Sequence, residues 1–237
     1  MTEPCSRQRV ARRQLHPVLV AAFCLFGLPL AAAELTVRVT AAGAPLDAVV
    51  VAVHGGSRTE HAARTHVVDQ VDKQFVPRVA AIGVGDQVSF PNSDDIRHHV
   101  YSFSPAKAFE LPLYHGIPAE PVRFATAGKV VLGCNIHDQM AAWVYVLDAE
   151  HFAVAADGVA HFPGLAAGRY EIALWHPQQA VEDEGVRRVV ELGADAHTVD
   201  LSVELVPPPA PPASATLSPL EARFRALREA AAADASP

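Results

Sequence analysis

Soft side chains are scarce in this sequence. Its 237 residues hold three cysteines and two methionines. Cys5, Cys24 and Met1 lie in the first 33 residues, so beyond them one cysteine, Cys134, and one methionine, Met140, remain. A single cysteine cannot close an internal disulfide, which excludes a disulfide-stapled scaffold and leaves a thiol that needs a reason. Enzyme motifs are missing as well: there is no Gly-x-Ser-x-Gly elbow, no phosphate-binding loop and no His-Glu-x-x-His. Basic residues are also in short supply. Beyond residue 33, 15 Lys and Arg stand against 25 Asp and Glu, a net charge of −10. That balance argues against nucleic acid or an anionic membrane surface as a partner.

Long apolar runs are absent too. The longest, Pro17 to Leu30, is too short for a stop-transfer helix. It follows Arg7, Arg9, Arg12 and Arg13 and precedes Ala31-Ala32-Ala33. This order of basic, apolar and small residues is that of a cleavable secretory signal peptide over 1–33, with the mature chain starting at Glu34. The expected location is periplasmic, with no stable membrane insertion after cleavage. The Arg12-Arg13 pair lacks the rest of a twin-arginine signal, and Cys24 sits inside the apolar run rather than after a lipobox.

What remains is concentrated in one stretch, Gly133-Cys134-Asn135-Ile136-His137-Asp138-Gln139-Met140. A thiol, an imidazole and a thioether stand at i, i+3 and i+6. These are the soft-to-borderline donors that copper prefers, and ligation also withholds a thiolate from oxidation. Strand-like runs flank the stretch, Lys129-Val130-Val131-Leu132 before it and Trp143-Val144-Tyr145-Val146-Leu147 after it. A short loop between adjacent strands can aim all three side chains at one point. Upstream, His98-His99-Val100 offers a second imidazole. In an extended segment His98 and His99 point to opposite faces, so the two can hardly share one metal.

The rest of the chain reads as short strands with Gly/Pro punctuation, which indicates an all-β fold. Leu35 to Thr40 alternates apolar and polar residues, and Val49 to Val53 is a more deeply buried strand. Further strands are expected at 66–71, 75–80, 87–90, 99–103 and 122–124, and 104–121 as a long irregular connection. Asp94 and Asp95 read as a solvated loop beside the turn residue Asn92. His54, His61, His66, His151, His161 and His197 read as solvated, His115 as a loop residue and His176 as the end of a strand. Val206 to Pro212 is a stiff extended linker within 207–237, and Ser218 to Ala233 has the capping residue and spacing of a short C-terminal helix.

Taken with His98, the Cys-x-x-His-x-x-Met stretch resembles the cupredoxins, and its short spacing looks most like amicyanin. The chain is also similar to cupredoxin-domain proteins labelled methylamine utilization protein, although nothing in the sequence links it to amine oxidation. Phe75-Val76-Pro77, Gly85 to Phe90 and Asn92 belong to the same resemblance. The resemblance implies a Greek-key β-sandwich or barrel over 61–148 that binds one copper of type 1. His98, Cys134 and His137 would be the planar ligands, Met140 the axial one, and His137 the ring that reaches solvent. The family pattern His-Asn-Val aligns His99 with an Asn that ties the ligand strand to the residue after the cysteine, which here is Asn135. His99 and Asn135 are therefore expected to replace that tie, with a shifted register, in which His99 binds, as the alternative.

A second resemblance lies outside this region. Gly43-Ala44-Pro45-Leu46-Asp47-Ala48-Val49-Val50 and Ala156 to Ile172 look like the two halves of a carboxypeptidase regulatory-like, transthyretin-like β-sandwich. The copper domain is then an insertion between 34–60 and 149–206, with two domains in series as the competing order. The function implied is that of a single-electron carrier or redox module docking to a redox protein, not an enzyme. The other reading is copper storage, delivery or sensing alongside a copper-handling protein.

Overall fold

The computed structural model describes residues 33–56, 62–118, 120–179 and 185–206. The leader and the C-terminal helix expected from sequence lie outside these residues. Every element among the described residues is a strand, so the fold is all-β. No helix there is long and apolar enough to cross a membrane.

In chain order the strands are β1 (Ala33–Ala41), β2 (Ala44–Pro45), β3 (Val50–His54), β4 (Thr65–Val67), β5 (Asp69–Val71), β6 (Gln74–Val76), β7 (Val79–Gly83), β8 (Gln87–Ser89) and β9 (His98–Ser104). Then come β10 (Lys107–Tyr114), β11 (Val122–Arg123), β12 (Gly128–Gly133), β13 (Ala141–Leu147), β14 (His151–Val154), β15 (Val159–Leu165), β16 (Gly168–Trp175), β17 (Val186–Leu192) and β18 (His197–Ser202). The first three and last five strands make two sheets, ordered β15-β1-β18 with β2 on β1, and β14-β3-β16-β17. The middle ten make the sheets β10-β9-β12-β13-β7 and β11-β8-β4 and the hairpin β5-β6.

Two hydrophobic cores follow this division. Leu35, Val37 and Val39 on β1 meet Val51, Val53, Phe162, Ile172 and Leu174 in one. Phe75, Val88, Phe90, Val100, Phe124, Leu132 and Val144 fill the other. A third, smaller cluster lies between them. Val50 and Ala52 of β3, Leu147 of β13 and Trp175 of β16 meet there, with Trp143 and Tyr145 packed against them. Tyr145 stacks on Trp175 at 4.9 Å and 5°. Strand β3 is therefore buried on both faces, and β13 is buried on one and half-buried on the other, which is why their sequences read as near-continuous apolar runs while β1 alternates.

One expectation is corrected. Residues 107–114 are not part of an irregular connection but an eight-residue edge strand, β10, paired antiparallel with β9. Its pairing breaks register between Leu111 and Tyr114, around Pro112. Proline cannot donate to a ladder and is tolerated at edges and bulges, so one of the four prolines that make 104–121 read as a connection marks where the strand's register shifts.

Candidate metal centre

Gly133, the last residue of β12, pairs with Ala141, the first of β13. The seven residues between them form the connecting loop, and both of its ends are anchored. Cys134 and Met140 are buried in the second core, while Asn135, Ile136, Asp138 and Gln139 face solvent and His137 is half-buried. Inside the loop the Met140 N–H donates to the His137 carbonyl at 2.9 Å, which closes a turn between the two residues. His98 comes from the start of β9 and is fully buried.

The three side chains converge. Cys134 Sγ lies 3.9 Å from His98 Nδ1 and 4.0 Å from His137 Nδ1. All three donor atoms fall within 4.8 Å of one another, and the two rings are 5.1 Å apart at 58°. A metal bonded to nitrogen at about 2.0–2.1 Å and to sulfur at about 2.3 Å spans at most about 4.4 Å between them. The observed separations fit one shared ion with a bent N–metal–S angle. Met140, the one methionine among the described residues, lines the same groove as Cys134. One thiolate, two imidazoles and a thioether is a donor set suited to copper.

His98 is oriented by an aspartate. Its Nε2 lies 2.6 Å from Asp94 Oδ2. The carboxylate accepts, so Nε2 carries the hydrogen and the Nδ1 lone pair is turned toward Cys134. Asp94 is held in turn by the β5–β6 hairpin, accepting the N–H groups of Asp72 at 2.7 Å and Lys73 at 2.9 Å. Those two turn residues have φ of 51° and 58°, the left-handed pair of a tight hairpin turn without the glycine that usually relieves it. Burial of Asp94 opposes its charge, but the Lys73 N–H, the His98 ring and the Asp72 N–H outweigh it and hold the carboxyl below its usual range. Asp94, expected from sequence to be a solvated loop residue, is thus a partner of His98. The available signal was its position four residues before His98.

The loop from Asn92 to Arg97 is fixed from behind. Asn92 Nδ2 donates to the carbonyls of Ile96 and Tyr114, both at 2.9 Å, and its Oδ1 accepts the Asp94 N–H at 3.1 Å. Fully buried Gln70 donates to the Pro91 carbonyl at 3.0 Å and to Tyr114 Oη at 2.5 Å, and Tyr114 donates to the Phe90 carbonyl at 2.6 Å. Burial pushes the Tyr114 phenol up to about 12, so it stays a donor there.

His99 faces the opposite side of β9 from His98. Its Nε2 lies 2.8 Å from Glu110 Oε1 on β10, and its Nδ1 has no hydrogen-bond partner. The expected tie to Asn135 is not among the hydrogen bonds of His99, and Asn135 is exposed. The cluster therefore contains His98 and not His99. His66, read as solvated, is instead 2.8 Å from the buried Asp86 carboxylate.

Neither a protein-family model nor a curated protein matches the chain. Solved structures similar to it include a Cu-containing nitrite reductase (NirK) from Thermus scotoductus SA-01, at 25% identity over 40% of this chain and 24% of that one, with a TM-score of 0.34. The chain thus spans about a quarter of that enzyme's length. They also include a reduced Cu(I) amicyanin variant, at 22% identity over 41% of this chain and 98% of that one, with a TM-score of 0.32. An oxidized amicyanin variant is 19% identical over 43% of this chain and all of that one, with a TM-score of 0.31.

Proposed function

We propose that this protein binds one copper ion through His98 Nδ1, Cys134 Sγ and His137 Nδ1, with Met140 as the fourth donor, and that it serves as a single-electron carrier or redox module. The observation that carries this reading is the convergence of two imidazole nitrogens at 3.9 and 4.0 Å on the sulfur of Cys134. When bound, copper supplies a one-electron couple whose potential is set by its donors and their hydrogen bonds.

The chain's own residues supply the rest. Cys134 and Met140 are pinned in the core at the two ends of the loop, so the sulfur donors are held in place whatever the charge on the ion. His98 is fixed through Asp94, and the Asn92, Gln70 and Tyr114 network holds the segment that carries both. A frame locked by packing and hydrogen bonds moves little when charge changes, which keeps the reorganisation cost of electron transfer low. His137 is half-buried while His98 and Cys134 are buried, so its ring is the donor nearest to solvent and to a redox partner. With four protein donors no position is left open for a substrate, which favours a carrier over an enzyme.

The same reading extends to organisation and place. The separate cores of β1–β3 with β14–β18 and of β4–β13 support an inserted copper domain within a transthyretin-like sandwich. The Arg-rich leader supports export to the periplasm. The second reading, copper delivery or storage, is separated from the first by experiment. A carrier holds copper in both oxidation states against a chelator and cycles reversibly at an electrode. A delivery protein yields copper to the chelator in one of the two states. Loss of copper from both states on mild chelation contradicts the site itself.

A further inference from the structure

Side chains alternate along a strand, so His99, Tyr101 and Phe103 share the outer face of β9 while Val100 and Ser102 point into the core. Neighbouring rings touch in sequence: His99 to Tyr101 at 5.5 Å, and Tyr101 to Phe103 at 5.1 Å. The middle ring of this row, Tyr101, lies against the residue that precedes Cys134. Gly133 pairs with Tyr101 in the sheet, and a methyl group on Gly133 would meet Tyr101 Cζ at 2.7 Å and Oη at 2.8 Å. The phenol ring therefore rests directly on the peptide next to Cys134, and only glycine admits it there. The outer end is open. Phe103 is 85% exposed, the highest value for a large apolar side chain among the described residues. Burying a phenylalanine contributes about 1.5–3 kcal/mol, so this ring adds little to the fold where it stands.

We propose that Tyr101 and Phe103 carry electrons between Cys134 and the outer face of β9 and β12, a route distinct from the one through His137. It rests on the copper reading above. One electron passes from the reduced, copper-loaded protein to an outer-sphere one-electron acceptor in contact with Phe103. No bond forms or breaks, and Tyr101 keeps its proton. The rings act as the medium: electronic coupling falls steeply across gaps, and the Cys134–Gly133 backbone followed by two ring contacts leaves no gap filled by mobile water. His137 opens on the loop, where Ile136 is the exposed apolar neighbour.

The test compares the full copper-loaded chain with Phe103→Lys and Ile136→Lys, oxidised in a stopped-flow apparatus by anionic hexacyanoferrate(III) and by cationic tris(phenanthroline)cobalt(III). A charge at the contact point alters the rate with each probe in opposite directions. On this route F103K speeds the anion and slows the cation, each by roughly tenfold at low ionic strength, and salt removes the effect. Tyr101→Leu slows both probes without moving the sulfur-to-copper band, and Tyr101→Phe restores the rate. An added charge reaches about 30 Å at 0.01 M salt, so an effect at Phe103 larger than that at Ile136 supports the route, and an effect at both positions that is no larger at Phe103 overturns it. Rates for F103K within about twofold of the parent with both probes, while I136K shifts them, overturn it. A chain that takes up copper without a thiolate band fails the copper reading first, and this route with it.

Discussion

Replacing Asp94 with asparagine is the most informative change near the metal centre, because it keeps the shape and removes the charge. The carboxylate accepts three hydrogen bonds, from His98 Nε2 at 2.6 Å and from the N–H groups of Asp72 and Lys73 at 2.7 and 2.9 Å. Asp94 Oδ1 accepts the Asp72 N–H while Oδ2 accepts both the Lys73 N–H and the Nε2–H of His98. An amide with its oxygen toward Asp72 therefore turns its nitrogen on Lys73 and His98, donor against donor, and the ring escapes only by moving its hydrogen to Nδ1, the atom aimed at Cys134. With its oxygen toward His98 it clashes with the Asp72 N–H and offers the ring only a neutral acceptor. A hydrogen bond to a charged group contributes about 1.5–3 kcal/mol, and losing the partner that orients a ligating histidine costs about 10–100-fold in metal affinity. The expected result for D94N is copper binding weaker by that factor in competition with a chelator, with the metal-free protein still folded by circular dichroism. Affinity within about twofold of the parent would refute the idea that Asp94 sets the state of His98.

Four further outcomes follow. His98→Ala loses the copper site, whereas His99→Ala keeps copper, since its ring meets Glu110 on the other face; the reverse pattern in a copper titration reverses the assignment. Met140→Ala removes a fully buried side chain, so the metal-free protein is less stable by about 2–5 kcal/mol in denaturant unfolding. Gly133→Ala drives a methyl into the Tyr101 ring and costs about 1–3 kcal/mol, with recovery in the Gly133→Ala, Tyr101→Ala double variant; no recovery would mean that the ring is not the obstacle. Burial opposes charge on Asp86, but the Arg64 N–H, His66 and the Gly83 N–H outweigh it and hold its carboxyl below the usual range. The stability this provides is complete above about pH 4 and is lost as pH falls through the lower folded value; Asp86→Asn flattens that acid limb of the melting temperature.

The loop proposed to hold copper was legible in the sequence because Cys134, His137 and Met140 lie within seven residues and need only one hairpin to bring them together. His98 was legible from the resemblance, since Val100 sets the register of the His-Asn-Val pattern, while alternation adds only that His98 and His99 do not share one metal. The all-β character and the deep burial of β3 were legible because side-chain periodicity records how many faces of a strand are covered. Other features depend on contacts far apart in sequence. Asp94 becomes an anchor for His98 only once the turn at Asp72 and Lys73, 22 and 21 residues upstream, folds against it. Glu110 was hidden because the four prolines and weak periodicity of 104–121 make its strand read as a connection. The Tyr101 ring is placed by pairing with Gly133, 32 residues on along the chain, which no local pattern announces.

The central claim is that Cys134, His98 and His137 share one copper ion. X-ray absorption at the copper edge of the Cu(II)-loaded protein tests it most directly. The account predicts one copper per chain, with one short sulfur and two nitrogen scatterers, and loss of the short sulfur in Cys134→Ser. A spectrum of nitrogen and oxygen scatterers alone in the unmodified chain, unchanged by Cys134→Ser, would contradict it.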